Sequence, residues 1–363
     1  NRNYWDIDAN NRVEFGVTVS TESLTDRLYE YNFTDSADYV TEGPLLESSN
    51  RLSSERFQGY VQHVYAPTQR HTITYGARFN YWSLNKQFLV SPRIQFAYRA
   101  DSLRRTTYRL AAGVYQQQAF YREMRDRQGN LNRNIRAQRS IHLISGADIA
   151  IKIWDRSFKL TCECYYKQIE NVIAYDIENV RIRYFANNLA KAWAWGTEFR
   201  FSGEFIKGAE SWFSLGVLST KEDLLDDTRG YYRRPTDQRL TFSTFFQDNL
   251  PGNPSVRAYL NMIVGTGLPF SPPNNRNARS AFTAPPYRRL DIGVNKVIKL
   301  NDQETWFDRT FDQVWLGVEV LNVLGVSNTI SYQWIADLNS NQYAIPNTLS
   351  ARFLNVKLVA SFE

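Results

Sequence analysis

Hydrophobic and polar residues alternate along much of this chain with a period of two, the pattern of a β-strand whose two faces meet different surroundings. From His71 one row reads Ile73, Tyr75, Ala77, Phe79, Tyr81 and the other Thr72, Thr74, Gly76, Arg78, Asn80. The next segment sets Phe88, Val90, Ile94, Phe96 and Tyr98 against Ser91, Arg93, Gln95 and Arg99. Trp193, Trp195, Phe199, Phe201 and Phe205 alternate with Ala194, Gly196, Glu198, Arg200 and Glu204, and Val256, Ala258, Leu260, Met262 and Val264 with Arg257, Tyr259, Asn261 and Gly265. The pattern predicts long strands over 71–82, 106–118, 189–206, 255–266 and 351–362. Globular strands run to about 5–6 residues, whereas a tilted membrane strand needs about 9–11. Repeated strands of this length favour a transmembrane barrel, in which the apolar row meets lipid and the charged row lines the lumen. Alternation alone also fits a soluble sandwich with its polar face outward.

The connections separate the two. Short links are predicted near 66–70, 100–105, 154–157, 206–211 and 249–254, and long ones near 119–138, 175–188, 222–236, 267–285 and 325–350. Short turns at one end of the strands and long loops at the other mark an outer-membrane barrel, with the short side periplasmic. Two places depart from the rule: the link at 83–87 is short where a long one is due, and the turn near 300–311 is longer than usual. The loops, as in Arg125–Arg136 and Leu268–Pro286, are rich in Gly, Pro, Asn and Arg, as surface loops are. Counting back from the C-terminus gives about 15 strands, and single-chain bacterial barrels carry even numbers. The reading is therefore an all-β, antiparallel transmembrane barrel over 1–363, the C-terminal portion of a longer one.

Composition changes the picture in one respect. The chain has 363 residues with Tyr 22, Phe 22 and Trp 9 but Met 2; so many rings suit a lipid-facing wall with aromatic girdles better than a water-soluble core. Mean hydropathy is −0.48, as expected where half of each strand is polar, and no apolar run of about 18 residues predicts a membrane helix. Net charge is +6. The arginines are scattered rather than grouped, which favours a polar lumen and contact with anionic outer-membrane lipid and glycolipid over nucleic acid.

Candidate chemistry is sparse. Cys162 and Cys164, two apart on a strand, point to one face and suit lipid-facing packing rather than a disulfide. His63, His71 and His142 fall on separate strands, and neither a nucleophile motif nor zinc spacing occurs. No enzyme, cofactor or metal site is expected. The lumen row supplies Arg78, Arg93, Arg109, Glu163, Lys167, Glu198, Arg200 and Glu204. Substrate contacts are expected in the outer loops, at Tyr121, Arg122, Arg125, Arg127, Tyr231, Tyr232, Arg233, Arg234 and Trp334, where aromatics beside arginine suit sugars, peptides or acidic chelates. With the short turns periplasmic, Tyr81, Trp82, Trp193 and Trp195 fall at the outer interface and Trp154, Trp212 and Trp315 at the inner one, giving two expected girdles.

The last strand carries an apolar comb, Leu354, Val356, Leu358, Ala360 and Phe362, which resembles the signal read by barrel-assembly machinery. Further segments resemble the later barrel strands of TonB-dependent receptors, including those akin to starch-utilisation transporters: YRLAAGVYQQQAFYREM, NVRIRYFANNLAKAWAWGTEFRFSGEF, PYRRLDIGV and VWLGVEVLNVLGVSNTISYQW. Tyr287-Arg288-Arg289-Leu290-Asp291 and Asn322-Val323-Leu324 are the most telling, and the order of the segments is their specific part. The resemblance implies a barrel of about 22 strands holding a plug, TonB-coupled import of a bulky nutrient (oligosaccharide, peptide or metal chelate), and lumen groups that grip the plug. It leaves room for a surface lipoprotein partner. The alternative is a passive porin, a secretion channel or a scaffold subunit of an outer-membrane complex.

Overall fold

The computed structural model describes residues 2–31, 33–36, 39–42, 46–100, 105–178, 180–206, 208–250, 252–273, 275–300, 311–337, 341–349 and 351–362. In chain order the strands are β1 (Arg2–Asp8), β2 (Asn11–Glu30), β3 (Phe33–Ser36), β4 (Tyr39–Glu42), β5 (Leu46–Tyr65), β6 (His71–Trp82), β7 (Gln87–Arg99), β8 (Thr106–Gln117), β9 (Gln138–Ile153), β10 (Arg156–Val172), β11 (Tyr175–Glu178) and β12 (Arg181–Tyr184). They continue as β13 (Ala190–Ile206), β14 (Ala209–Leu224), β15 (Tyr232–Arg233), β16 (Leu240–Leu250), β17 (Asn253–Gly265), β18 (Pro269–Phe270), β19 (Phe282–Thr283), β20 (Tyr287–Leu300), β21 (Phe311–Leu321), β22 (Thr329–Ala336), β23 (Gln342–Thr348) and β24 (Phe353–Phe362). Fifteen of these follow one another in a single sheet, β1-β2-β5-β6-β7-β8-β9-β10-β13-β14-β16-β17-β20-β21-β24. The remaining pairs, β3–β4, β11–β12, β18–β19 and β22–β23, are small hairpins within the long connections.

The expected strands stand within two residues of their boundaries. Short connections at 9–10, 66–70, 154–155 and 207–208 lie at one end of the strands, and the long ones at the other. The link at 83–86 is tight as expected, with Lys86 at φ 53°. Most of the turn at 300–311 lies outside the described residues. The Trp154–Asp155 turn puts two non-glycine residues at positive φ, 52° and 60°, a type I′ geometry that glycine and asparagine adopt more cheaply.

Contacts divide the chain into two compact units: residues 1–145, 165–195 and 220–232, and residues 146–164, 196–219 and 233–363. In the first, the pairing register fixes which side chains share a face. Val19 stands opposite Phe57, Phe57 opposite Tyr81 and Tyr81 opposite Phe88. Below that line run Val17, Val61, Ala77, Tyr75 and Ile94, down to His63, His71, Tyr65 and Tyr98. The opposite face aligns Gln58 with Asn80, Tyr60 with Arg78, Gly76 with Arg93, and Ala97 with Arg109. The apolar row is the exposed one: Val17 and Val19 are each 61% exposed and Phe88 62%. Buried apolar residues gather beside the loops instead, in a cluster of Trp82, Ala119, Met124, Ile135 and Ile173 and another of Val172, Ala174, Ala190, Ala192, Leu224 and Tyr232.

The second unit repeats the division. Phe246, Leu260, Ile292, Val320 and Leu354 align on one face, as do Ala258, Val294, Val318 and Val356. Tyr259, Gly293, Glu319 and Asn355 align on the other. A Cβ at Gly293 would meet the Tyr259 ring at 2.4 Å, so the missing side chain lets that ring lie across the strand. The ring's hydroxyl donates to Glu319, which also accepts from Asn355 at 2.7 Å and faces Lys357 at 3.4 Å. Phe158, Phe201, Phe205 and Phe213 form an aromatic ladder on the apolar face, with Phe158 and Phe201 stacked at 5.3 Å.

Candidate functional site: a polar wall and a folded loop cluster

In the first unit the β2–β5 pair continues well beyond the apolar row. Past Val19 the outward row turns to Thr21, Ser23, Thr25 and Arg27, and before Phe57 it reads Glu47, Ser49, Arg51, Ser53 and Glu55. This polar extension is the post on which the loops fold. Asp26 accepts the Tyr121 hydroxyl at 2.9 Å and Arg125 at 2.7 Å. Glu30 holds Arg183 at 2.6 Å. Arg127 bridges Asp176 at 2.6 Å and Glu178 at 3.2 Å, its guanidinium over the Phe185 ring. Ser48 donates to the carbonyl of Gly129 at 2.9 Å, and a Cβ on Gly129 (φ 83°) would meet Ser48 at 2.8 Å. The 3-10 turn Tyr121–Met124 is closed by Glu123, which accepts the Phe120 N–H at 2.8 Å.

Electrostatics follow from this packing. Burial, then the hydrogen bond to Asp26, pushes the Tyr121 phenol up to about 12, since ionisation would set two anions side by side. Burial likewise raises the Glu123 carboxyl above its ordinary range, against the Phe120 N–H that favours its anion.

Of the nine loop residues expected to meet substrate, the structure therefore gives Tyr121, Arg125 and Arg127 to loop-to-strand bonds, and Tyr232 to a buried cluster. In the second unit Arg233 binds Asp237 at 2.6 Å and Thr283 at 3.0 Å, and Asp237 also meets Arg239 at 2.9 Å. Arg234 offers its carbonyl to the Asp237 N–H. Arg122 and Tyr231 are exposed, the latter near Trp193 with the Lys191 ammonium 5.6 Å from its ring. Trp334 edges an aromatic group in which Phe270 stacks on Tyr332 at 4.0 Å and Phe282 at 5.3 Å. Asp26, Glu30, Asp176, Glu178 and Asp237, the carboxylates that tie these loops down, were not singled out in the sequence.

The polar wall gathers more of what was expected. Arg78 and Arg93 share one face of β6 and β7 with Gln58 and Asn80. They line a cavity of about 250 Å³ together with Arg56, Gln116 and Gln118. Lys167 stands over the Tyr165 ring at 4.7 Å, and Arg200 over the Trp212 ring at 5.0 Å. Arg109 aligns with Ala97 on the same face as Arg93. Glu163, Glu198 and Glu204 lie at the alternating positions of β10 and β13.

Three girdle expectations need correction. Trp212 aligns with Phe245, Asn261 and Asp291, and Trp315 lies 5.7 Å from the Lys357 ammonium; both stand on the charged face. Trp82 is 3% exposed, donates to Ser54 at 3.0 Å and carries Arg56 over its ring at 4.2 Å. Each owes its place to strand parity, which proximity to a turn does not report. Tyr81 lies on the apolar face against Phe57, Trp154 and Trp195 are exposed, and Trp193 is half-buried near Tyr231. A belt missed in the sequence is built from Tyr and His. His63 meets Tyr75 and Tyr65, and His71 stacks on Tyr98 and Phe96, all on the apolar face beside the short turns. The third histidine, His142, stacks on Tyr115 at 4.3 Å. Cys162 and Cys164 are unbridged, and Thr197 donates to Cys164 at 3.4 Å. The apolar comb keeps Leu354, Val356, Leu358 and Ala360 on one face by register; the side chain of Phe362 lies outside the described residues.

No family model and no curated protein matches the chain. Solved structures do. The ferric yersiniabactin uptake receptor FyuA from Yersinia pestis is similar with TM-score 0.65 and 14% identity, over 99% of this chain and 52% of that one. The copper transporter OprC matches with TM-score 0.65 and 14% identity over 98% and 55%, and the ferric enterobactin receptor PfeA from Pseudomonas aeruginosa with TM-score 0.64 and 12% identity over 97% and 51%. The chain thus spans about half the length of these proteins. Identities this low establish the fold: a membrane-spanning antiparallel β-barrel of the kind built by outer-membrane receptors.

Proposed function

We propose that this chain is the membrane-spanning wall of a TonB-dependent receptor, placed in the outer membrane by the barrel-assembly machinery, that imports a bulky nutrient. The observation that carries this is the apolar band. It begins on one register line, Val19–Phe57–Tyr81–Phe88, and ends at the belt of Tyr65, His63, His71 and Tyr98. From Phe57 to Tyr65 and from Phe88 to Tyr98 its height matches the roughly 9–11 residues a tilted strand needs to cross a bilayer. Above it, the β2–β5 post and its loops offer a large polar surface to solutes, and the wall behind it is lined with charge. Similar structures carry names that speak of ferric chelate and copper uptake, which supports a metal chelate among the nutrient classes. Energy coupling would come from a plug and the inner-membrane complex, with the wall's charged row holding the plug. The roles of Arg122, Tyr231 and Trp334 as loop contacts to substrate belong to the same reading.

The test uses the full-length protein in its own membranes. Washing with sodium chloride and then with alkaline carbonate leaves it in the pellet, and only detergent releases it. Cells then take up the chelate that supports their growth only while the energy-coupling complex is intact. Release by salt alone overturns the membrane reading, and uptake indifferent to the coupling complex overturns the receptor reading.

A further inference from the structure

We infer that the cavity on the polar face of β5–β8 is a binding site for a small polyanion, a molecule carrying clustered carboxylate or phosphate oxygens. Three guanidiniums, Arg56, Arg78 and Arg93, line it, and none of its lining residues is a carboxylate. Arg56 is engaged, with Glu22 at 3.0 Å and Gln118 at 3.1 Å, and lies over Trp82. Arg78 reaches only the neutral Gln58, at 3.3 Å, and among the described residues neither Arg78 nor Arg93 has an acidic partner. Facing them are amides with capacity to spare. Gln118 is 4% exposed, yet its Nε2 has no hydrogen-bond partner, and the buried Oδ1 of Asn80 and Oε1 of Gln116 are unpartnered too. Of these three atoms the Gln118 Nε2 is the one donor, and a buried N–H left unpaired is costly. Forked guanidiniums bind oxyanions through paired, charge-assisted hydrogen bonds, and the amide donor would cap a further oxygen. The volume equals about eight waters at roughly 30 Å³ each, room for a di- or tricarboxylate or a diphosphate.

The inference rests on the proposed reading that this face lines the barrel interior, with Arg78 and Arg93 open to solute while other charged groups of the row hold the plug, but its test needs no transport. The full-length protein, purified in non-ionic detergent, is titrated calorimetrically with citrate and with pyrophosphate, and with trehalose as a neutral control. At least one anion binds, more weakly as salt is raised, and trehalose does not. Arg78→Gln with Arg93→Gln weakens that binding by roughly tenfold or more, while Arg78→Lys with Arg93→Lys retains most of it; heat-dependent gel mobility shows that both variants are folded. Absence of anion binding, or equal affinity in wild type and the glutamine variant, overturns the inference. If the anions are silent and both arginines resist modification by phenylglyoxal, the guanidiniums are held by acidic side chains elsewhere in the full-length protein. Anion binding without energy-dependent uptake would sustain this inference and remove the receptor reading alone.

Discussion

Phe201 offers the sharpest test of which face meets lipid. It lies on β13 midway between Trp195 and the short connection at 207–208, and stacks on Phe158 at 5.3 Å with Phe205 edge-on at 5.5 Å. Its neighbour Ser202 points to the other face. Phe201→Ala removes two aromatic contacts, about 0.5–1.5 kcal/mol each. Phe201→Arg loses the same contacts and also places a guanidinium in hydrocarbon, a further cost of about 2–4 kcal/mol near the midplane. Ser202→Arg adds an arginine to a wall that already carries Arg200 and Glu204, where the cost is within about 0.5 kcal/mol. The assay is urea-driven unfolding of the full-length protein from lipid vesicles, followed by heat-dependent gel mobility and tryptophan emission. The order of stability is Ser202→Arg near wild type, then Phe201→Ala, then Phe201→Arg. Equal loss in the two arginine variants would show the assigned faces to be wrong, and equal loss in Phe201→Ala and Phe201→Arg would show that the site faces water.

Four further outcomes follow from the loops and turns. Asp26→Asn should release Tyr121 and Arg125 together, seen as faster amide exchange over 118–137 and as a Tyr121 phenol that falls from about 12 toward its ordinary value, read by absorbance against Tyr121→Phe. Because the folded phenol is raised, its contribution is complete below the ordinary tyrosine range and is lost as pH climbs through about 12. Glu123 is a carboxyl raised by burial, so docking of its turn weakens as pH rises from the ordinary carboxylate value through the raised one; Glu123→Gln, which keeps an acceptor for the Phe120 N–H, should slow exchange of that turn at neutral pH and abolish its acid dependence. Gly293→Ala should cost about 1–3 kcal/mol in the urea assay by driving a Cβ into the Tyr259 ring. Asp155→Gly should gain about 1 kcal/mol by relieving a positive φ, provided the turn keeps its shape, which unchanged amide exchange at 153–156 would show.

The fold was legible wherever the apolar row was unbroken. Strands β6, β7, β13, β17 and β24 announce themselves because their outward residues are Phe, Tyr, Val and Leu while their inward ones are polar. The β2–β5 pair was not, although it is the longest in the sheet: beyond Val19 and before Phe57 the outward row is largely polar and the inward row mixes Leu24, Leu28, Leu46 and Leu52 with polar residues, since that part stands clear of the apolar band. Loop composition suggested open segments, but Tyr175–Glu178 pairs with Arg181–Tyr184 and Thr329–Ala336 with Gln342–Thr348, and residues distant in sequence meet them, Arg127 and Glu30 at the first pair and Phe270 at the second. Arginine-rich loops read as substrate contacts for the same reason. A guanidinium's type is visible in a sequence, whereas its neutralisation by Asp26 or Asp176 depends on strands brought alongside by folding. Tryptophans were assigned by nearness to turns, and parity then placed Trp82, Trp212 and Trp315 on the wall with the charges.

This redistribution of charge decides where recognition is best sought. The chain carries a formal excess of +6, and a cation bound to a neighbouring carboxylate attracts a distant anion only weakly. Arg125, Arg127 and Arg183 in the loops of the first unit each lie within 2.7 Å of an acidic oxygen, and in the second unit Arg233 and Arg239 share Asp237. Their positive charge is spent on holding loops in place. Arg78 and Arg93 on the wall face amides and a hydroxyl instead, so their field reaches the solvent in front of the sheet. An anionic solute would therefore gain little at the loop guanidiniums and more at the wall, where one of its oxygens would also accept from the buried Gln118 amide nitrogen. Loop variants such as Arg125→Gln should accordingly change loop order more than anion affinity, and wall variants the reverse; a loop variant that abolished citrate or pyrophosphate binding while the loop stayed protected from exchange would contradict that division.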